Sequence, residues 1–131
     1  MQREVINPWT WQDRFGFVQA TKATGADQIL YCAGQTSVDE NGSPVHEGRM
    51  QEQALQALDN LETVLQAAGF ELADVVRLKI YTADVDAYRE AAPAVGARLG
   101  QAGARYASTL IGVTRLALPQ LLVEIEATAV K

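Results

Sequence analysis

The sequence predicts an α+β layer fold in which two helices pack on one face of a mixed sheet. Three observations carry this expectation. Apolar residues recur at spacings of three and four between 48 and 68, they alternate at period two over 75–81 and 123–130, and clusters of Gly, Pro, Asn, Asp and Ser separate these runs. A change of hydrophobic period marks a change of element. The resulting order is strand, strand, helix, strand, helix, strand, strand, in one domain spanning 1–131 with an N-terminal arm over 1–13.

Phe15, Phe17 and Gln19 alternate with smaller residues and predict a first strand. After a turn at 23–27, the run 28–33 predicts a second strand that pairs back as a hairpin and ends at Gly34. Residues 39–44 are dense in turn formers and predict a loop. Met50, Ala54, Leu58, Leu61, Val64 and Leu65 share one helical stripe, and Gly69 follows as the residue that ends the helix in a left-handed conformation. Over 75–81, Val76, Leu78 and Ile80 are assigned to the core face, and Val75, Arg77, Lys79 and Tyr81 to the other. Asp86 is expected to cap a second helix running to about Leu99, with Pro93 kinking it or marking a restart. Pro119 divides the remainder into two strands. In the last, Val123, Ile125, Ala127 and Ala129 face the core, so Glu124 and Glu126 face away from it. Val75, Tyr81, Leu110 and Leu122 on the uncovered face would leave apolar area in water, and association of copies is the expected cover.

Composition narrows the setting. The chain has 131 residues, 48% of them hydrophobic, and no apolar run near the roughly 20 residues of a membrane helix. No apolar stretch follows the first Arg, so no secretory signal is expected. A single cysteine, Cys32, excludes an internal disulfide and fits a reducing cytoplasm. A net charge of −5 with eleven scattered basic residues argues against nucleic acid as a partner. One His and one Cys assemble neither a metal cluster nor a Cys-His nucleophile, so no metal is expected.

The helix text LDNLETVLQAAG (58–69), preceded by AGQ (33–35) and followed by VVRLKIYTAD (75–84) and VEIEATAV (123–130), resembles the Rid (reactive intermediate deaminase, YjgF-like) family. Four motifs in order and at compatible spacing cover nearly the whole chain from about Phe15. The resemblance implies a chorismate-mutase-like fold assembled as a homotrimer with clefts between subunits. It further implies cofactor-free hydrolysis of an enamine, an imine or a related small metabolite in those clefts, with Glu124 as the catalytic carboxylate and Gly34 approaching the ligand.

The departures from the family pattern all remove polarity. Ser108 stands where deaminating members carry the arginine that clamps a substrate carboxylate, and a hydroxyl does not replace a bidentate guanidinium. Phe17 matches a tyrosine, Ala33 a serine, Ala92 an asparagine and Leu110 a cysteine. Little 2-aminoacrylate deaminase activity is therefore expected, unless Arg105 takes over the role of the missing guanidinium. With Trp11 and Phe15 beside Phe17, the cleft is expected to be apolar and aromatic, suited to a less polar ligand than an amino-acid-derived imine. Paired aromatics on an N-terminal arm such as Trp9 and Trp11 more often staple the arm to the core than bind a ligand. His46 is read as an exposed loop residue, Cys32 as a small buried one, and Glu126 as a surface or interface charge. Two functions stay open: a hydrolase with altered substrate choice, or a non-catalytic trimer that binds a small ligand or partner.

Overall fold

The computed structural model describes all 131 residues. Seven strands and two helices follow in the order β1 (Gln2–Ile6), β2 (Ala20–Thr24), β3 (Ile29–Tyr31), β4 (Gln35–Thr36), α1 (Met50–Ala67), β5 (Val75–Thr82), α2 (Val85–Gln101), β6 (Ala107–Gly112) and β7 (Val123–Val130). The main sheet runs β3-β7-β5-β6, with β4 also on β7. Strands β5 and β6 are parallel, joined through α2, and β7 is antiparallel to β5. The sheet is thus mixed, with both helices on one face, as the periodicity predicts.

The core lies between helices and sheet. Leu58, Leu61 and Leu65 of α1 meet Val123, Ile125 and Ala129 of β7 with no exposed surface left, each large aliphatic side chain contributing about 1.5–3 kcal/mol by leaving water. Gly69 has φ +78°, ending α1 as expected. Wholly buried Gln53 accepts from the Leu122 amide at 2.8 Å and donates to the Gln120 carbonyl at 2.9 Å, fixing how the chain enters β7.

Four expectations are corrected. No strand covers Phe15 to Gln19: Asp13–Phe15 forms a 3-10 turn, and only Val18 makes a bridge, parallel to Ala107. The predicted hairpin of the first two strands is also absent. Instead β2 pairs with β1, which lies within the segment read as an arm, and β3 pairs with β7. Val75 belongs to the core, because a bulge between Val75 and Arg77 shifts the register by one residue and returns it to the helix side. Helix α2 is capped by Asp84, whose side chain accepts from the Ala87 amide at 3.0 Å, two residues before the predicted Asp86. The helix runs unbroken through Pro93. Pro93 lines an open groove, so the Arg89 carbonyl that it deprives of an amide partner lies where water reaches it.

Candidate functional site

Strand register sorts the candidate residues onto two faces. Ser108 pairs with Leu78 and Leu110 with Ile80, both core residues, so Ser108 and Leu110 face the helices. Glu124 pairs with Tyr81, and Tyr81 with Ile111, which places all three on the uncovered face. Phe17, Ala92, Ser108, Leu110 and Trp11 therefore meet on one side of the sheet, and Glu124, Ala33 and Gly34 come together elsewhere. This register corrects the expectation that Leu110 lies on the uncovered face, and within one chain it sets Leu110 and Phe17 across the sheet from Glu124.

The first region is a groove of about 910 Å³ between α2, the helix side of β6 and the segment 11–17. Bridging of Val18 to Ala107 lays that segment along β6, with the Val18 amide donating to the Tyr106 carbonyl at 2.9 Å. Buried Gln12 anchors it through its amide nitrogen to the Trp9 carbonyl at 2.9 Å, while its oxygen accepts from Gln19 at 3.1 Å. The rings of Trp11 and Phe17 meet edge to face at 5.9 Å, and those of Phe15 and Phe17 stack at 6.4 Å. Trp11 is thus packed against its neighbours and still 56% exposed, at once a staple and a wall. Gly96 on α2 faces the Phe15 carbonyl, with 3.9 Å between that oxygen and the place a Cβ would take, which is room for an ordinary contact. Arg14, its guanidinium 4.6 Å from the centre of the Phe15 ring, and Arg89 are exposed at the rim, neither in an ion pair. Arg105, exposed just before β6, does not line the groove.

The second region is a corner of the sheet. Tyr31 pairs with Thr128 and Gln35 with Ile125, so Ala33 and Gly34 together stand opposite Glu126, a two-against-one bulge. The bulge brings Gly34 onto the half-buried Glu124: a Cβ at position 34 would lie 2.6 Å from Glu124 Cδ and 2.8 Å from Cγ. Glu126 is not a free surface charge, because it accepts from the Tyr81 hydroxyl at 3.0 Å, and that bond raises the phenol pKa. Cys32 is buried, which raises its thiol pKa. His46 is exposed in its loop with φ +63°, remote from both regions in its contacts. No group of three His, Cys, Asp or Glu side chains could hold a metal ion, and no helix is long and apolar enough to cross a membrane.

Sequence reasoning missed Tyr88 and Tyr106, which are buried and line the groove. Tyr106 could have been found: it lies two residues before Ser108 on the same strand face. Tyr88 precedes Ala92 by four residues and so shares its side of α2.

Comparison with known proteins converges on one group. Residues 12–131 match the family described as Endoribonuclease L-PSP. A RutC family protein of Pyrococcus horikoshii is 30% identical over 111 residues, 85% of this chain and 86% of that protein. The human 2-iminobutanoate/2-iminopropanoate deaminase is 32% identical over 66 residues, 50% of this chain and 48% of that one. Among solved structures, the conserved Rid protein family member YyfB of Yersinia pestis superposes with a TM-score of 0.87 at 40% identity, covering all of both chains.

Proposed function

Because this chain belongs to the Rid/YjgF family, we propose that it is a cofactor-free hydrolase of an enamine, imine or related small metabolite, acting in a site assembled between copies in a homotrimer. The observation that carries this reading is the placement of Glu124. It is half-buried against Gly34 on the face opposite the groove, so the carboxylate and the groove of one chain are separated by the sheet itself. They can converge only when a second copy brings its Glu124 to the groove of the first. Exposed Tyr31 and Ile111 on the uncovered face, 77% and 39% accessible, favour such association.

In this site Glu124 takes a proton from water as the oxygen bonds to the carbon of the C=N group, and passes that proton to the nitrogen to give a neutral carbinolamine. Glu124 then takes the carbinolamine's hydroxyl proton and delivers it to the nitrogen as the C–N bond breaks, so that ammonia leaves, a carbonyl remains and the carboxylate is regenerated. The ribonuclease activity in the family description fits this chain less well, since a net charge of −5 opposes a phosphate backbone and a single His provides no acid-base pair. The apolar groove favours a second reading, a trimer that binds without turnover. One experiment separates the two. Ammonia release from imines generated in situ is measured for the native chain and for Glu124→Gln, with the mass of each followed by light scattering. The hydrolase reading expects a mass of three chains in both and turnover only in the native protein. A monomeric native protein would end the shared site, and a trimer inert toward every imine would leave the binding protein.

A further inference from the structure

We propose that the groove selects a planar, largely apolar ligand whose inner end is an uncharged carbonyl-type oxygen, received by the hydroxyls of Tyr88 and Tyr106. This rests on the groove being the ligand site and adds the class of ligand. Tyr88 and Tyr106 are only 3% and 5% exposed, and both line the groove. Neither hydroxyl has a hydrogen bond within the chain, yet no sealed polar atom is left without a partner, so both hydroxyls open onto the groove. The Tyr106 oxygen lies 3.8 Å from where a Cβ on Gly16 would stand, which sets it beneath the segment carrying Phe15 and Phe17.

Each phenol offers one donor. Burial, assisted at Tyr88 by the neighbouring Tyr106, raises both pKa values, so the protons stay in place at neutral pH. A ligand without an acceptor would strip water from two donors and leave them unpaired, at a cost that disfavours it. A carboxylate is disfavoured for a different reason. The only cations on the groove are Arg14 and Arg89 at its exposed rim, and an anion driven to the floor would be desolvated without a partner. A carbonyl oxygen, with two lone pairs and no charge, answers both hydroxyls. The rings of Trp11, Phe15 and Phe17, with Ala92 and Leu110, supply apolar walls for the rest of the ligand.

Three probes of similar shape test the inference: benzamide, benzoate and ethylbenzene, titrated into the full chain and followed by amide and indole NMR shifts. Benzamide is expected to shift Trp11 and Ala92 and to bind about fivefold or more tightly than either other probe, the value of one neutral hydrogen bond. Tyr88→Phe and Tyr106→Phe should each weaken benzamide about fivefold and leave ethylbenzene within twofold, which also checks that the groove persists. Benzoate binding tightest, benzamide and ethylbenzene equal within twofold in the native chain, or no benzamide binding at its solubility limit would each overturn the proposal. The groove is formed within one chain, so this readout is independent of the mass and turnover that test the hydrolase reading.

Discussion

The groove beside β6 and the corner at Gly34 lie on opposite faces of one sheet, and they differ in how tightly each is determined. At the corner a bulge presses Gly34 against Glu124 so closely that no Cβ fits at 34 without moving the carboxylate. In the groove, about 910 Å³ is bounded largely by side chains that water still reaches, among them Trp11, Phe15 and Leu110. A tight corner preserves a group and its orientation, whereas an open groove tolerates exchange. By the resemblance to the family, four of the five exchanged positions, Phe17, Ala92, Ser108 and Leu110, would line that groove, and one, Ala33, would lie at the corner. The difference separates the part of the site that would do chemistry from the part that would choose its object.

If this division is correct, substitutions at the corner should cost more than substitutions in the groove. Glu124→Gln is expected to lower imine hydrolysis by about a hundredfold or more, the usual scale of acid-base assistance, with the trimer mass unchanged. Gly34→Ala should displace the same carboxylate without removing it. Turnover should fall roughly a hundredfold at most, a crystal structure should show Glu124 moved, and the melting temperature should change little. An active Gly34→Ala enzyme with Glu124 in place would break the contrast between the two regions. In the groove, Ser108→Arg should raise hydrolysis of 2-iminopropanoate by about one to two decades over a slow native rate, since a charge-assisted bond is worth roughly 1.5–3 kcal/mol. No gain would show that the groove does not receive the carboxylate end of such a substrate.

The smallest effect concerns the two buried phenols. Their pKa values are raised above the ordinary 10.0, so the folded chain holds these protons more tightly than the unfolded chain does. Their contribution is complete below pH 10 and is lost as pH rises beyond it, at up to about 1.4 kcal/mol per pH unit for each phenol. Urea unfolding between pH 8 and pH 11 should show this loss in the native chain and less of it in Tyr88→Phe. Equal slopes would place the Tyr88 hydroxyl in water.

Long regular elements were legible in the sequence because their periods are long. The stripe from Met50 to Leu65, the end of α1 at Gly69 and the alternation from Val123 to Ala129 all stand in the structure as read. What escaped was local. A one-residue bulge at Val75 reverses a side chain without changing the period around it, and Asp84 and Asp86 are equivalent as caps until the chain direction before them is known. The first strand was misplaced because Phe15 and Phe17 alternate for the groove rather than for a ladder. Glu124 could be assigned its face from alternation, but not its neighbours. Which walls it would share depends on the register of β6 against β5, and a parallel pair separated by a helix carries no hairpin to set it. Nothing in the hydrophobic pattern sets Tyr88 and Tyr106 apart from other aromatics, and the hydroxyls that lack a partner within the chain are visible only once the groove is formed.

The bridge from Val18 covers β6 at Ala107 and goes no further. From Leu110 to Gly112 the outer edge of that strand is accessible, and no charged residue or proline occurs between 107 and 114 to blunt it. Such an edge is a template for a strand from another chain. If the proposed association of copies covers this edge, a change that prevented it would leave the template bare and expose the chain to aggregation. Solubility at high concentration is therefore as direct a report on correct assembly as turnover.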